Sequence, residues 1–145
     1  MAEVSQLKTV AIIQARMNSK RLPGKVLLQV EGKKMLELMI ERVKFSKYAN
    51  KIIVATSKND SDNPIALFCK INKIDCYRGS ELDVLDRIYN CATVYKANHV
   101  VRLTADDPLQ EPEVMDQVIG AKMAKLYVWF FRLNPLRKKP EAYNS

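Results

Sequence analysis

The sequence predicts an α/β fold, a parallel sheet with helices packed on both of its faces. Two patterns point to it. Three short apolar runs, TVAIIQ, KIIVAT and HVVRL, and a briefer stretch, DCYR, recur between residues 9 and 103, and amphipathic segments separate them. Uninterrupted apolar runs of this length suit strands that are covered on both faces, as in a parallel sheet.

The elements follow in order. Residues 9–14 form a first strand that stops at a polar loop. Across residues 33–46, Leu36, Met39, Ile40 and Val43 recur at helical spacing among charges, which predicts an amphipathic helix. Residues 51–56 give a second buried strand. Ser61 or Asp62 is placed to cap the next helix, with Pro64 in its first turn and Ile65, Phe68 and Ile71 as its apolar stripe. Residues 75–78 form a third strand. Ser80 with Asp83 three residues on resembles a capping box, and the helix it opens carries Val84, Leu85, Ile88, Ala92 and Tyr95 on one side. Residues 99–103 make a fourth strand, followed by the acidic turn TADDP and a helix from about Pro112. In such a fold, ligands bind beyond the carboxyl ends of the strands, so the loops after the first and fourth strands should meet in one crevice.

Composition narrows the partners. The chain has 145 residues, 48% of them hydrophobic, enough for one buried core. Its longest apolar run, residues 126–131, falls short of the roughly 20 residues a membrane helix needs. The opening MAEVSQLKTV has no signal-peptide pattern, so a soluble, cytoplasmic protein is expected. Cys69, Cys76 and Cys91 form no CxxC pair and read as buried free thiols, while the single His99 reads as a strand-edge residue. The formal charge of +8 is uneven. Residues 121–145 carry Lys122, Lys125, Arg132, Arg137, Lys138 and Lys139 against Glu141 alone, together with the single Trp129. Most of the excess therefore sits in a basic, aromatic tail, residues 121–145, set apart from an α/β domain in residues 1–120 whose loops, described next, suggest nucleotide binding. A tail of this kind attracts phosphate backbones nonspecifically, but it matches no nucleic-acid module.

Two loops carry the unusual chemistry. The loop ARMNSKRLPGK places Arg16, Lys20, Arg21 and Lys25 directly after the first strand. Four cations in ten residues suit a polyphosphate, although the residue types alone suit a solvated basic turn equally well. Asn18 tolerates a left-handed backbone, Gly24 frees the chain where it turns, and Pro23 stiffens it. With four glycines in the chain there is neither a GxGxxG fingerprint nor a Walker loop. At the tip of the fourth strand, Asp106 and Asp107 either cap the following helix or hold Mg²⁺ against phosphate oxygens. The cationic loop favours the second reading, because phosphate binders and a metal carboxylate are complementary halves of a phosphoryl-transfer site.

The strings IIQARMNSKRLPGKVL, IIVATS, YRGSELDVLDR and VVRLTADDPL, in that order, resemble the spore-coat polysaccharide cytidylyltransferase family, relatives of the CMP-KDO and acylneuraminate synthetases. The resemblance covers roughly residues 8–120. It implies a Rossmann-like, three-layer nucleotide-diphosphosugar transferase fold with a mostly parallel sheet, incomplete at its C-terminus. It also implies transfer of CMP from CTP to a sugar acid, Mg²⁺ as cofactor and pyrophosphate as product, in the synthesis of surface polysaccharide or glycan precursors. Matched residue by residue, Ala15, Arg16, Ser19, Lys20 and Lys25 fall in the family's triphosphate loop, with Arg16 and Lys25 as the catalytic cations. Arg78 and Asp83 fall where relatives approach the nucleotide, Arg87 in the same DVLDR segment, Asp106 at the metal carboxylate, and Arg102 and Thr104 beside it. Apart from the resemblance, Asp83 with Arg87 suits an ion pair on a helix surface. Three positions depart from the family: Asn18 and Ala105 stand where glycine is usual, and Val26 replaces the asparagine of the acylneuraminate synthetases. Full-length relatives are expected to be homodimers, and residues 121–145 do not resemble their acceptor-binding half. A truncated nucleotide-binding module without catalysis is the alternative, and molybdenum-cofactor guanylyltransferases share a related loop.

Overall fold

The computed structural model describes residues 8–20 and 22–105, and the backbone of residues 130–132. Four parallel strands form the centre: β1 (Thr9–Gln14), β4 (Lys51–Ser57), β5 (Asp75–Gly79) and β6 (His99–Thr104). β1 pairs with β4 on one side and β6 on the other, and β5 lies outside β4. A three-residue strand from the tail, β7 (Phe130–Arg132), runs antiparallel along β6, giving the order β5-β4-β1-β6-β7. The four strands expected from the sequence are all present, and three of the tail's residues join the same sheet.

Alternation along β1 divides the core into two layers. Ala11 and Ile13 face one side, packed with Leu36, Met39, Ile40 and Val43 of α1 (Met35–Val43) and Ile65, Phe68 and Cys69 of α2 (Asn63–Ile71). Val10 and Ile12 face the other, packed with Ile88, Cys91 and Ala92 of α3 (Val84–Val94). With helices on both faces, β1 is fully buried from Val10 to Ile13, as its unbroken apolar run requires. Burying a side chain the size of Ile12 or Ile13 stabilises the fold by about 2 kcal/mol.

Several boundaries differ from the sequence reading. Lys33 and Lys34 do not begin α1; they form β3 (Lys33–Lys34), which pairs antiparallel with β2 (Gln29–Val30). Glu31 and Gly32 between them both have positive φ, 51° and 83°, the geometry of a tight two-residue hairpin turn. Helical spacing begins only at Met35, where the Glu37 carboxylate accepts from the Lys34 N–H at 3.4 Å. Ile71, assigned to the α2 stripe, is exposed at the helix end, and Cys69 packs in its place. Ser80 does not cap α3. Asp83 does, accepting from the Asp86 N–H at 2.9 Å, while the Ser80 hydroxyl accepts from the Asp83 N–H at 3.0 Å. The three cysteines are free, Cys69 and Cys91 buried and Cys76 partly so. His99 opens β6 and is buried. The expected helix near Pro112 lies outside the described residues.

Candidate functional site

The loops after β1, β4 and β5 leave the carboxyl edge of the sheet together. The first starts by extending the ladder, since the Ala15 N–H donates to the Ala55 carbonyl at 3.1 Å, which buries Ala15. Its next two residues are held by a carboxylate from a different loop. Asp62 ends a 3-10 turn, Asp60–Asp62, and its side chain is fully buried. One oxygen accepts from the Met17 N–H at 2.8 Å, and the other takes both the Ser57 hydroxyl and the Arg16 Nε. Asp62 therefore stands at the N-cap position of α2, as expected, but its side chain makes no cap bond. Burial pushes its carboxyl toward higher pKa, but the bonds from Ser57 and Met17 and the charge of Arg16 outweigh this and hold it below the ordinary carboxylate range.

The far edge of the Arg16 guanidinium is also occupied. Nη1 donates to the Glu81 carbonyl at 3.1 Å and Nη2 to the Glu81 carboxylate at 3.3 Å, and the second oxygen of that carboxylate accepts from the Asn59 amide at 2.8 Å. Arg16 thus ties the β1 loop to the loops after β4 and β5. Asn18 adds a bond from its amide to the Ser61 hydroxyl at 3.2 Å and does not take up the left-handed backbone expected of it.

The outer half of the loop is organised by its own backbone. The Gly24 N–H donates to the Met17 carbonyl at 2.8 Å, closing an arc that contains Ser19 and Lys20. The Ser19 hydroxyl accepts from the Leu22 N–H at 3.4 Å. Gly24 has φ 74°, which excludes most side chains, and a 3-10 turn, Lys25–Leu27, follows it. Lys20 is exposed and Lys25 half-buried. Neither ammonium has a hydrogen-bond or ion-pair partner among the described residues, so both are available to an anion.

Arg78 on β5 is committed to backbone, donating from Nε to the Ser57 carbonyl at 2.8 Å and from Nη2 to the Asn59 carbonyl at 2.9 Å. It fixes the loop that carries Asp62. Asp83 is engaged as the α3 cap described above. Arg87 forms no surface pair with it: the Arg87 side chain is completely buried and its Nη1 donates to the Ser80 carbonyl at 3.0 Å. Arg102 on β6 donates from Nε and Nη2 to the Gln14 side-chain oxygen at 3.1 and 2.8 Å, and Thr104 is exposed at the strand end.

Ala105 closes the edge, its N–H donating to the Gln14 carbonyl at 3.0 Å, two residues before Arg16. The chain thus enters the acidic turn beside the root of the cationic loop. Asp106, Asp107 and Arg21 themselves lie outside the described residues. Among the described residues no group of three His, Cys, Asp or Glu side chains is placed to hold a metal ion, and no helix is long and apolar enough to cross a membrane.

Sequence reasoning assigned most of the cations but missed Asp62 and Glu81. The string SDNP reads locally as a helix start, and nothing in it signals a bond to residues 16 and 17. Glu81 gave no signal beyond its place next to Ser80.

A mostly parallel sheet with helices on both faces and a cationic loop at its carboxyl edge defines an α/β nucleotidyltransferase-like protein. The structure superposes on a cytidylyltransferase from Leptospira borgpetersenii with a TM-score of 0.77 and 35% identity, covering 81% of this chain and 50% of that one. It also superposes on a CMP:2-keto-3-deoxy-manno-octonic acid synthetase complexed with CTP, with a TM-score of 0.67 and 26% identity over 81% of this chain and 48% of that one. Among curated proteins, the spore coat polysaccharide biosynthesis protein SpsF of Bacillus subtilis is 38% identical over 114 residues, 76% of this chain and 48% of that protein. The family model described as Cytidylyltransferase matches residues 10–145, and the chain belongs to that family. It spans about half the length of the curated relatives it matches.

Proposed function

We propose that the crevice binds CTP and that the protein transfers CMP from it to a sugar acid, with release of pyrophosphate. The observation that carries this reading is the pinned β1 loop. Asp62 and Glu81 fix the Arg16 guanidinium at the crevice root, while Lys20 and Lys25 stand without partners among the described residues along its outer arc. A polyphosphate lying along the arc would meet the two ammonium groups. At Arg16 it would replace the Glu81 carboxylate, whose side chain is 40% exposed and able to swing away. The relative that binds CTP and the family match favour cytidine as the base.

In the proposed reaction an acceptor oxygen of the sugar acid forms a bond to the α-phosphorus as the bond to the pyrophosphate oxygen breaks, and the hydroxyl proton passes to solvent. Lys20, Lys25 and Arg16 neutralise charge growing on the departing pyrophosphate, the kind of stabilisation that usually dominates such chemistry. Asp106 would hold Mg²⁺, which when bound supplies charge neutralisation at the phosphates. A lone carboxylate fits that ion, because magnesium commonly takes one or two protein carboxylates and completes its shell with substrate oxygens and water. The Ala105 bond to Gln14 brings the chain to the loop's root immediately before that residue.

Titration with CTP and Mg²⁺ followed by thermal melting tests binding, and a pyrophosphate-release assay with 3-deoxy-manno-octulosonate and other sugar acids tests transfer. A rise in melting temperature together with pyrophosphate is the expected result. Stabilisation without pyrophosphate would limit this chain to nucleotide binding, and no stabilisation would remove the proposal.

A further inference from the structure

The most unusual charge in the molecule is one that the site described above leaves unused. Among the described residues Arg87, on α3, is the largest fully buried side chain, yet only its Nη1 has an acceptor there; Nε and Nη2 are buried without one. The fold makes specific room for it. A Cβ added at Gly79 would come within 3.0 Å of the Arg87 Cγ and 2.8 Å of a Tyr77 ring carbon, so only glycine leaves space for the arginine stem. Burial disfavours its positive charge, Arg16 and Arg102 add to that pressure, and Asp62 acts the other way, which lowers its pKa. A guanidinium stays protonated regardless. The carboxylate that favours it, Asp62, is already bonded by Arg16, Ser57 and Met17.

A buried charge kept without a carboxylate of its own weakens a fold, and replacing it by an apolar side chain of similar length is often neutral or stabilising. We infer that Arg87 serves polyphosphate binding: its buried positive charge acts with Arg16 and Arg102 to raise the affinity of the crevice for a polyanion, at the expense of the folded protein's own stability. The group acts through its field, held by the Ser80 carbonyl next to the Glu81 that accepts from Arg16, and in its buried setting low dielectric strengthens it and salt screens it less than a surface lysine. Arg87 is thus an affinity-setting residue, and the inference rests on the reading of the crevice as a triphosphate site.

The test compares the full chain with Arg87→Met and Arg87→Lys, measuring nucleotide-free melting temperature and the dissociation constants of CTP and inorganic tripolyphosphate at low and high salt. Arg87→Met is expected to melt at the wild-type temperature or a few degrees above it. It should bind both polyanions at least about tenfold more weakly, a loss of about 1.4 kcal/mol. Arg87→Lys, which keeps the charge, should retain most of the affinity. A marked fall in melting temperature in Arg87→Met, or unchanged affinity for both polyanions, would overturn the inference. Failure of Arg87→Met to fold would overturn it in the same way, and weak binding by a folded Arg87→Lys would equally count against it, since charge alone would then not suffice. Wild-type protein that binds neither CTP nor tripolyphosphate would instead remove the triphosphate reading of the crevice itself.

Discussion

The two halves of the loop after β1 are held in different ways. At its root, Ala15 continues the sheet ladder, and Arg16 and Met17 are bonded to the buried Asp62 carboxylate, which lies 45 residues from Met17 in sequence. Along its outer arc, residues 18–20 and 22–25 are held mainly by local backbone bonds, and their lysines have no partner among the described residues. The root is therefore part of the folded core, whereas the arc rests mostly on its own short-range bonds. Two cations of one loop, Arg16 and Lys25, should consequently fail in different ways when removed.

Arg16→Ala is expected to be the most damaging change. It removes the proposed phosphate ligand and strands Asp62 as a buried charge, so turnover in the proposed reaction should fall by about a hundredfold or more and stability by about 3 kcal/mol. Pyrophosphate release and urea unfolding read the two losses separately. Lys25→Ala sharpens the contrast, with a comparable loss of turnover, about a hundredfold, but stability within about 0.5 kcal/mol of wild type. A large drop in the stability of Lys25→Ala would show that the arc is as structural as the root.

Asp62→Asn removes the charge but keeps the shape, and should cost about 2 kcal/mol at pH 7. Because the folded carboxyl sits below its ordinary pKa, its contribution is present above the unfolded value of about 4 and disappears as the pH falls through the lower, folded value. Wild type and variant should therefore converge in stability as the pH falls below about 4, and parallel curves from pH 7 to 3 would refute the ion-pair account of the root. The smallest effect is expected from Gly24→Ala. Its φ of 74° makes the substitution cost about 1 kcal/mol, while the nearest atom to a new Cβ, the Met17 terminal methyl, lies at an unstrained 3.6 Å. Circular-dichroism melting would detect it.

The scaffold was legible because its signals are local. The β1 and β4 runs could be read from uninterrupted apolar residues, and α3 from its period. The Lys33–Lys34 strand was hidden because it abuts a helix whose spacing extrapolates backwards, although Gly32 marked the hairpin turn that separates them. At the site, the cations stood out by density after a strand. Asp62 did not, because its cap-like setting in SDNP is satisfied by a local explanation, and only the packed fold shows the carboxylate turned toward residues 16 and 17. Arg87 misled for a related reason. A charge on a helix implies a solvated face unless a glycine elsewhere, here Gly79, clears a space for it.

The short strand from the tail has a consequence for association. Phe130–Arg132 runs antiparallel along His99–Val101 and takes up backbone groups that β6 would otherwise offer at the sheet margin. An open β6 could template a strand from a second molecule, whereas a margin only three residues long offers little purchase for such pairing. Phe130–Arg132 thereby shields the first half of β6 from pairing with another strand.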